Sequence, residues 1–101
     1  MKENEILNRR IDLSIVIPVL NAEAFFEQSL RALRDYSVSC GYAVEIIVID
    51  DGSTDRTCDI ARFFIGSISN YTVVSVPENR GKGMALKEGF RKARGVFVVF
   101  T

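Results

Sequence analysis

Val48-Ile49-Asp50-Asp51-Gly52-Ser53-Thr54-Asp55 is the stretch that decides how this chain folds. An apolar run, Glu45-Ile46-Ile47-Val48-Ile49, leads into two adjacent carboxylates and then a turn of small residues. The run predicts a strand. The two charges then stand at its C-terminal end, the edge at which open α/β sheets bind their ligands. Gly52 permits backbone angles that a Cβ resists. Ser53 or Thr54 is placed to cap the helix that follows, and Asp55 suits the positive end of its dipole. Taken alone, the stretch fits a strand–turn–helix junction as well as it fits a ligand site.

Outward from this junction, strands and helices alternate. Residues 11–19 predict a first strand, β-branched and nearly continuous at Ser14-Ile15-Val16-Ile17, with Pro18 ending its ladder. Asn21 is a good N-cap for a helix over 22–36, on which Phe26, Leu30 and Leu33 recur at helical spacing. Gly41 breaks the chain before a second strand over 43–49. A second helix is expected over 54–65, with Ile60, Ala61 and Phe64 facing inward. A turn over 66–70 precedes a third strand over 71–76, ended by Pro77. A third helix is expected over 83–94, with Lys92 and Arg94 at its negative end and Gly95 at C′. Residues 96–100 form a fourth apolar strand. The order βαβαβαβ implies an α/β fold, an open, Rossmann-like parallel sheet with right-handed crossovers. Residues 1–10 read as a polar leader and 11–101 as the domain.

The bulk composition narrows the function. A chain of 101 residues makes one small domain. Lys plus Arg equals Asp plus Glu, at 13 each, so no basic field argues for nucleic acid. The absence of histidine excludes Ser-His-Asp or Cys-His chemistry and His-ligated metals within these residues. Cys40 and Cys58 match no zinc or redox spacing and read as reduced thiols of a cytosolic protein. The N-terminus lacks the apolar core of a signal peptide, so the Asn70-Tyr71-Thr72 sequon reads as chance. No apolar run approaches the roughly 20 residues of a membrane span.

Parallel topology brings three loops to one sheet edge: Pro18 to Glu23, Asp50 to Ser53, and Pro77 to Gly83. Known phosphate motifs do not fit them. No Gly-x-Gly-x-x-Gly follows the first strand, and Gly81-Lys82-Gly83 lacks P-loop spacing. Ile49 stands where an aspartate-nucleophile phosphatase would carry its nucleophile, and a phospho-receiver would place its acidic pair after the first strand. What remains is a carboxylate pair beside a Gly-Lys-Gly loop. Carboxylates accept hydrogen bonds from base N–H groups or ribose hydroxyls. Gly81 and Gly83 allow close backbone approach, and Arg80 and Lys82 offer charge to a diphosphate.

These residues, in this order, resemble the nucleotide-binding part of a family 2 glycosyltransferase with the GT-A fold. The similarity runs through Ser14 to Glu23, Glu45 to Asp55, Glu78 to Gly83 and Gly95 to Thr101. The Asn79-Arg80-Gly81-Lys82-Gly83 form, followed by Leu86-Lys87-Glu88-Gly89, is most similar to polyprenyl- or dolichyl-phosphate sugar transferases. The resemblance implies strand order 3-2-1-4, the N-terminal half of a GT-A fold. It implies a nucleotide-diphosphate-sugar site, for a UDP- or GDP-linked sugar, built from Pro18, Asn21, Asp50, Asp51, Gly81 and Lys82. Asp50 or Asp51 would accept from the base, Pro18 and Asn21 would line the pocket, and Gly81 and Lys82 would lie near the ribose or diphosphate. The parent enzyme would be an inverting hexosyltransferase using Mg²⁺ or Mn²⁺, with polyprenyl phosphate as an acceptor, at the cytoplasmic membrane face. Leu20 stands where the family often has Tyr. The metal-binding Asp-x-Asp and the catalytic base are expected beyond Thr101, so residues 1–101 are expected to bind no metal and to be inactive alone. The competing reading is a non-catalytic nucleotide- or protein-binding module, with self-association through an exposed sheet edge.

Overall fold

The central strand is the best-buried element of the molecule. In the computed structural model, which describes residues 10–100, all eight residues of β2 (Val44–Asp51) are buried. β2 lies between β1 (Leu13–Val19) and β3 (Tyr71–Val76), and β4 (Phe97–Phe100) adds to the far side of β1. All pairs are parallel and the order is β3-β2-β1-β4, as the resemblance implies. Three helices make the crossovers: α1 (Phe26–Ser39), α2 (Thr57–Phe63) and α3 (Lys82–Lys92). The expected leader falls outside the described residues except for Arg10.

The unbroken apolar run of β2 is explained by cover on both faces. Ile46 and Val48 join Ile15, Ile17, Phe26, Leu30, Ala61 and Phe64 in one core cluster. Ile47 and Ile49 join Val16 and Ala85 in a second, beneath α3. Gly89 of α3 lies directly on Val16, where any added Cβ would collide with the valine side chain. The fourth strand is apolar but exposed. Phe97 retains 71% of its surface and Phe100 46%.

Helix ends differ from the expected ones for one shared reason. The polar side chains that would have capped them are bonded to other segments. Asn21 has φ 49, and residues 22–25 form a turn before α1 begins at Phe26 with no side-chain cap. Likewise α2 begins at Thr57, not 54, because Ser53 and Thr54 bond to Asn21. α3 stops at Lys92, so Arg94 does not serve the helix terminus. Gly95 is not a left-handed C′ residue either. It is glycine because a Cβ there would stand 2.6 Å from the Ser14 backbone nitrogen.

Arg94 and Gly95 instead close a buried polar cluster at the N-terminal ends of the strands. Glu45, 2% exposed, accepts from Ser14 Oγ at 2.7 Å, from the Arg94 backbone N–H at 2.9 Å and from Arg94 Nε at 2.9 Å. Ser14 Oγ in turn accepts from the Gly95 N–H at 2.8 Å. Burial alone would push the Glu45 carboxyl up. The hydrogen bonds from Ser14 and Arg94, with the guanidinium charge, outweigh it and hold the group below the usual glutamate value.

A carboxylate with a depressed folded pKa adds stability above its unfolded pKa of about 4.3, and that stability is lost as pH falls through the folded value. Glu45→Gln should therefore cost about 2 kcal/mol at pH 7, given that Arg94 remains partly solvated. Its stability should also fall less steeply than the wild type's on acidification below about pH 4.3. Urea unfolding followed by circular dichroism at pH 7 and at pH 3.5 measures both; equal pH slopes in the two proteins would remove Glu45 from the acid response.

Candidate active site: a cleft at the C-terminal sheet edge

Strand alternation separates the two carboxylates at the end of β2. Neighbouring residues on a strand point to opposite faces. Asp51 shares the α3 face with Ile47 and Ile49, and Asp50 takes the other. Both are nearly fully buried, at 5% and 1% exposure. Asp51 accepts from the backbone N–H groups of Arg80 at 2.8 Å and Gly81 at 2.9 Å. Asp50 accepts from the Ser53 N–H at 3.2 Å and from Ser75 Oγ at 3.4 Å. Among the described residues no buried side-chain polar atom lacks a partner.

The loop over 77–81 is pressed against the β2 turn. Gly52 has φ +79, and a Cβ there would lie 2.7 Å from the Asn79 nitrogen and 2.9 Å from the Glu78 carbonyl carbon. Glycine is needed at this position twice over, for its backbone angle and for the contact. Asn79 Oδ1 also accepts from the Gly81 N–H at 2.9 Å, and Gly81, at φ 90, opens α3.

These contacts shape a cleft of about 290 Å³. Pro18 and Val19 line it from β1, Leu20 from the loop after it, and Asn79, Gly81, Lys82 and Ala85 from the third loop and α3. Asp51 contributes the carboxylate. Of the sequence-predicted site residues, Pro18, Asp51, Gly81 and Lys82 meet here. Asn21 and Asp50 do not line the cleft. Asn21 faces the β2–α2 turn, and Asp50 is turned to Ser53 and Ser75. Sequence reasoning passed over Asn79, although Asn-x-Gly is a known pattern for an Asn side chain bonding backbone two residues on. Leu20, the departure from the family's Tyr, is a wall of the cleft and 42% exposed. A second cleft of about 230 Å³ shares Asp51 and is bordered by Arg80, Met84 and Glu88.

The turn after Gly52 carries a perturbed carboxylate of its own, Asp55. Asp55 Oδ1 accepts from the Thr57 hydroxyl and from the Thr57 N–H, which holds Asp55 below the usual aspartate range. Among the described residues no group of three or more Asp, Glu, Cys or His converges to hold a metal ion. The Mg²⁺ or Mn²⁺ that the resemblance implies thus finds no ligand set in them.

Comparison with known proteins shows the family and the fold. The family model for Glycosyl transferase family 2 matches residues 14–101, and the chain belongs to that family. The undecaprenyl-phosphate 4-deoxy-4-formamido-L-arabinose transferase of Pseudomonas paraeruginosa is 39% identical over 92 residues, covering 88% of this chain and 27% of that protein. Among solved structures, Staphylococcus aureus TarS 1-349 in complex with UDP-GlcNAc superposes with a TM-score of 0.80 at 27% identity, over 90% of this chain and 26% of that one. Glucosyl-3-phosphoglycerate synthase from Mycobacterium tuberculosis, in complex with Mn²⁺, UDP and glucosyl-3-phosphoglycerate, gives 0.67 at 34% identity, over 98% and 35%. The fold is therefore GT-A-like. The chain spans about a quarter to a third of the length of the relatives it matches.

Gly52→Ala tests the contact between the second and third loops. Strain at positive φ and the clash with Asn79 should together cost roughly 2–3 kcal/mol. Amide exchange at Arg80 and Gly81 should accelerate as the third loop is displaced from Asp51. A variant with unchanged stability and unchanged exchange would mean that the loops are not held by this contact.

Proposed function

We propose that this family 2 domain binds the nucleoside diphosphate of an activated sugar, UDP- or GDP-linked, in the cleft beside Asp51. On this reading the protein transfers a hexose from that donor to an acceptor such as polyprenyl phosphate. The observation that carries the proposal is the polarity of the cleft. One buried carboxylate, fixed by two backbone N–H groups, shares the cleft with an exposed lysine, Lys82, in the first turn of an eleven-residue helix.

Each end suits a different part of the ligand. Asp51 has lone pairs left after binding Arg80 and Gly81, and it accepts from a base N–H or a ribose hydroxyl. A negative group in that position repels phosphate, so the diphosphate belongs toward Lys82. There the unbonded N–H groups and positive dipole of the α3 N-terminus add to the lysine charge. The Gly81 N–H is already shared between Asp51 and Asn79, so it supports the loop and is not a phosphate donor. Pro18 and Leu20 provide the apolar wall for the base. The support from outside this chain is that TarS and the phosphoglycerate synthase form complexes with UDP-GlcNAc and with UDP.

The chemistry asked of the whole protein is a displacement at the anomeric carbon. An acceptor oxygen bonds to that carbon from the face opposite the leaving group as the bond to the diphosphate breaks, giving inversion. A phosphate acceptor is already an anion and brings its own nucleophile. The residues described here bind and orient the donor. A polyprenyl-phosphate acceptor would place the reaction at the cytoplasmic membrane face. Among the described residues no helix is long and apolar enough to cross a membrane.

Calorimetric titration of the intact protein with UDP and GDP tests the reading. One of the two should bind. Asp51→Ala should weaken it roughly tenfold or more, the value of a charged hydrogen bond, while Asp51→Asn, which keeps an acceptor for the loop, separates binding from folding. Lys82→Ala should weaken binding and lower its salt dependence. Failure of the wild type to bind either nucleotide would refute the proposal; binding without hexose transfer would identify a non-catalytic module.

A further inference from the structure

We infer that Asn21 is a positioning residue, which clamps the β1–α1 loop to the β2–α2 turn and thereby sets Asp51 against the Leu20 wall of the cleft. The inference rests on the nucleotide-binding reading of that cleft. It departs from an N-cap or pocket-lining role for Asn21.

The clamp is reciprocal and runs over three consecutive residues. The Asn21 N–H donates to Ser53 Oγ at 2.9 Å, while Asn21 Oδ1 accepts from the Thr54 N–H at 2.8 Å and from Thr54 Oγ1 at 3.4 Å. The Ala22 N–H donates to Thr57 Oγ1 at 2.8 Å. The Glu23 N–H donates to Asp55 Oδ2 at 3.2 Å, and Glu23 Oε2 accepts from the Arg56 N–H at 3.3 Å. The two segments are more than thirty residues apart in sequence, and their strands part company after Val19 and Asp50, the last residues in register. Beyond that point these bonds hold one loop to the other.

Asn21 is the member of the clamp with the strongest local requirement. It sits at φ 49, a conformation asparagine tolerates better than most residues, and its carbonyl oxygen is the acceptor for two donors of Thr54. On one side it adjoins Leu20, which lines the cleft. On the other its partner Ser53 follows Gly52, whose backbone is packed on Asn79. A displacement at Asn21 is thus passed to both walls, through Leu20 directly and through Gly52 to the loop that Asp51 holds.

Three proteins separate the possibilities: wild type, Asn21→Gly and Asn21→Asp. Glycine keeps the backbone angle and removes the acceptor; aspartate keeps both. Titration with UDP and GDP at 0.3 M salt, which screens the added charge, should show affinity roughly tenfold weaker in Asn21→Gly and restored to within about threefold in Asn21→Asp. If the Asn21 side-chain NH2 touched the ligand directly, both variants would be equally defective, which overturns the inference. A lower melting temperature in Asn21→Gly with unchanged affinity also overturns it. Amide exchange supplies an arm that needs no ligand. Asn21→Gly should accelerate exchange at Thr54 and, through the Gly52 contact, at Arg80 and Gly81. Acceleration at Thr54 alone defeats the positioning role. If neither nucleotide binds the wild type, the function proposal fails, and the exchange arm still decides whether Asn21 sets the loop geometry.

Discussion

Two carboxylates at opposite ends of one buried strand hold helix α3 in place. Glu45 and Asp51 are six residues apart on β2, so both point to the face that α3 covers. Asp51 takes the N–H groups of Arg80 and Gly81 just before the helix, and Glu45 takes the N–H and guanidinium of Arg94 just after it. The dimensions agree: six strand residues rise about 20 Å, and an eleven-residue helix with its flanks covers nearly the same length. Ile47 and Ile49 fill the space between the two ties, against Ala85 of the helix. The cleft lies at the Asp51 end of this arrangement, and its Lys82 wall is the first turn of the tied helix.

The order of elements was legible because burial on both faces of a parallel strand leaves an unbroken apolar run. Ile46 to Ile49 and Ser14 to Ile17 announce that situation without reference to anything distant. The helix starts were less legible. Asn21, Ser53 and Thr54 are capping residues by type, yet their oxygens and N–H groups are spent on each other across two loops. Arg94 and Gly95 resemble a helix terminus by residue type, yet their partners are Glu45 and Ser14. Local propensity cannot report a bond whose other half is thirty or eighty residues away.

The candidate site was legible to a similar depth. Parallel topology alone predicts that Pro18, Asn21, Asp50, Asp51, Gly81 and Lys82 gather at one sheet edge, and four of them, Pro18, Asp51, Gly81 and Lys82, line the cleft. The period of two in a strand already implied that Asp50 and Asp51 could not both face one cleft, and the structure resolves which one does. The close packing of Gly52 on Asn79 is a property of three dimensions only. The membership of glycosyl transferase family 2 fits this division: the matched segment, residues 14–101, carries the sheet and the three loops.

The double tie on α3 has a consequence for how this chain can vary in length. Between Gly81 and Arg94 the residue count is fixed by two anchors on a rigid strand. An insertion or deletion there would rotate the helix, pull Gly89 off Val16 and break one anchor or the other. The turn after α2, around Gly66, has open space where a side chain would go, and neither anchor is made to it. Length changes among such chains should accumulate at that tip, leaving 81–94 as a segment whose ruler is the strand beneath it.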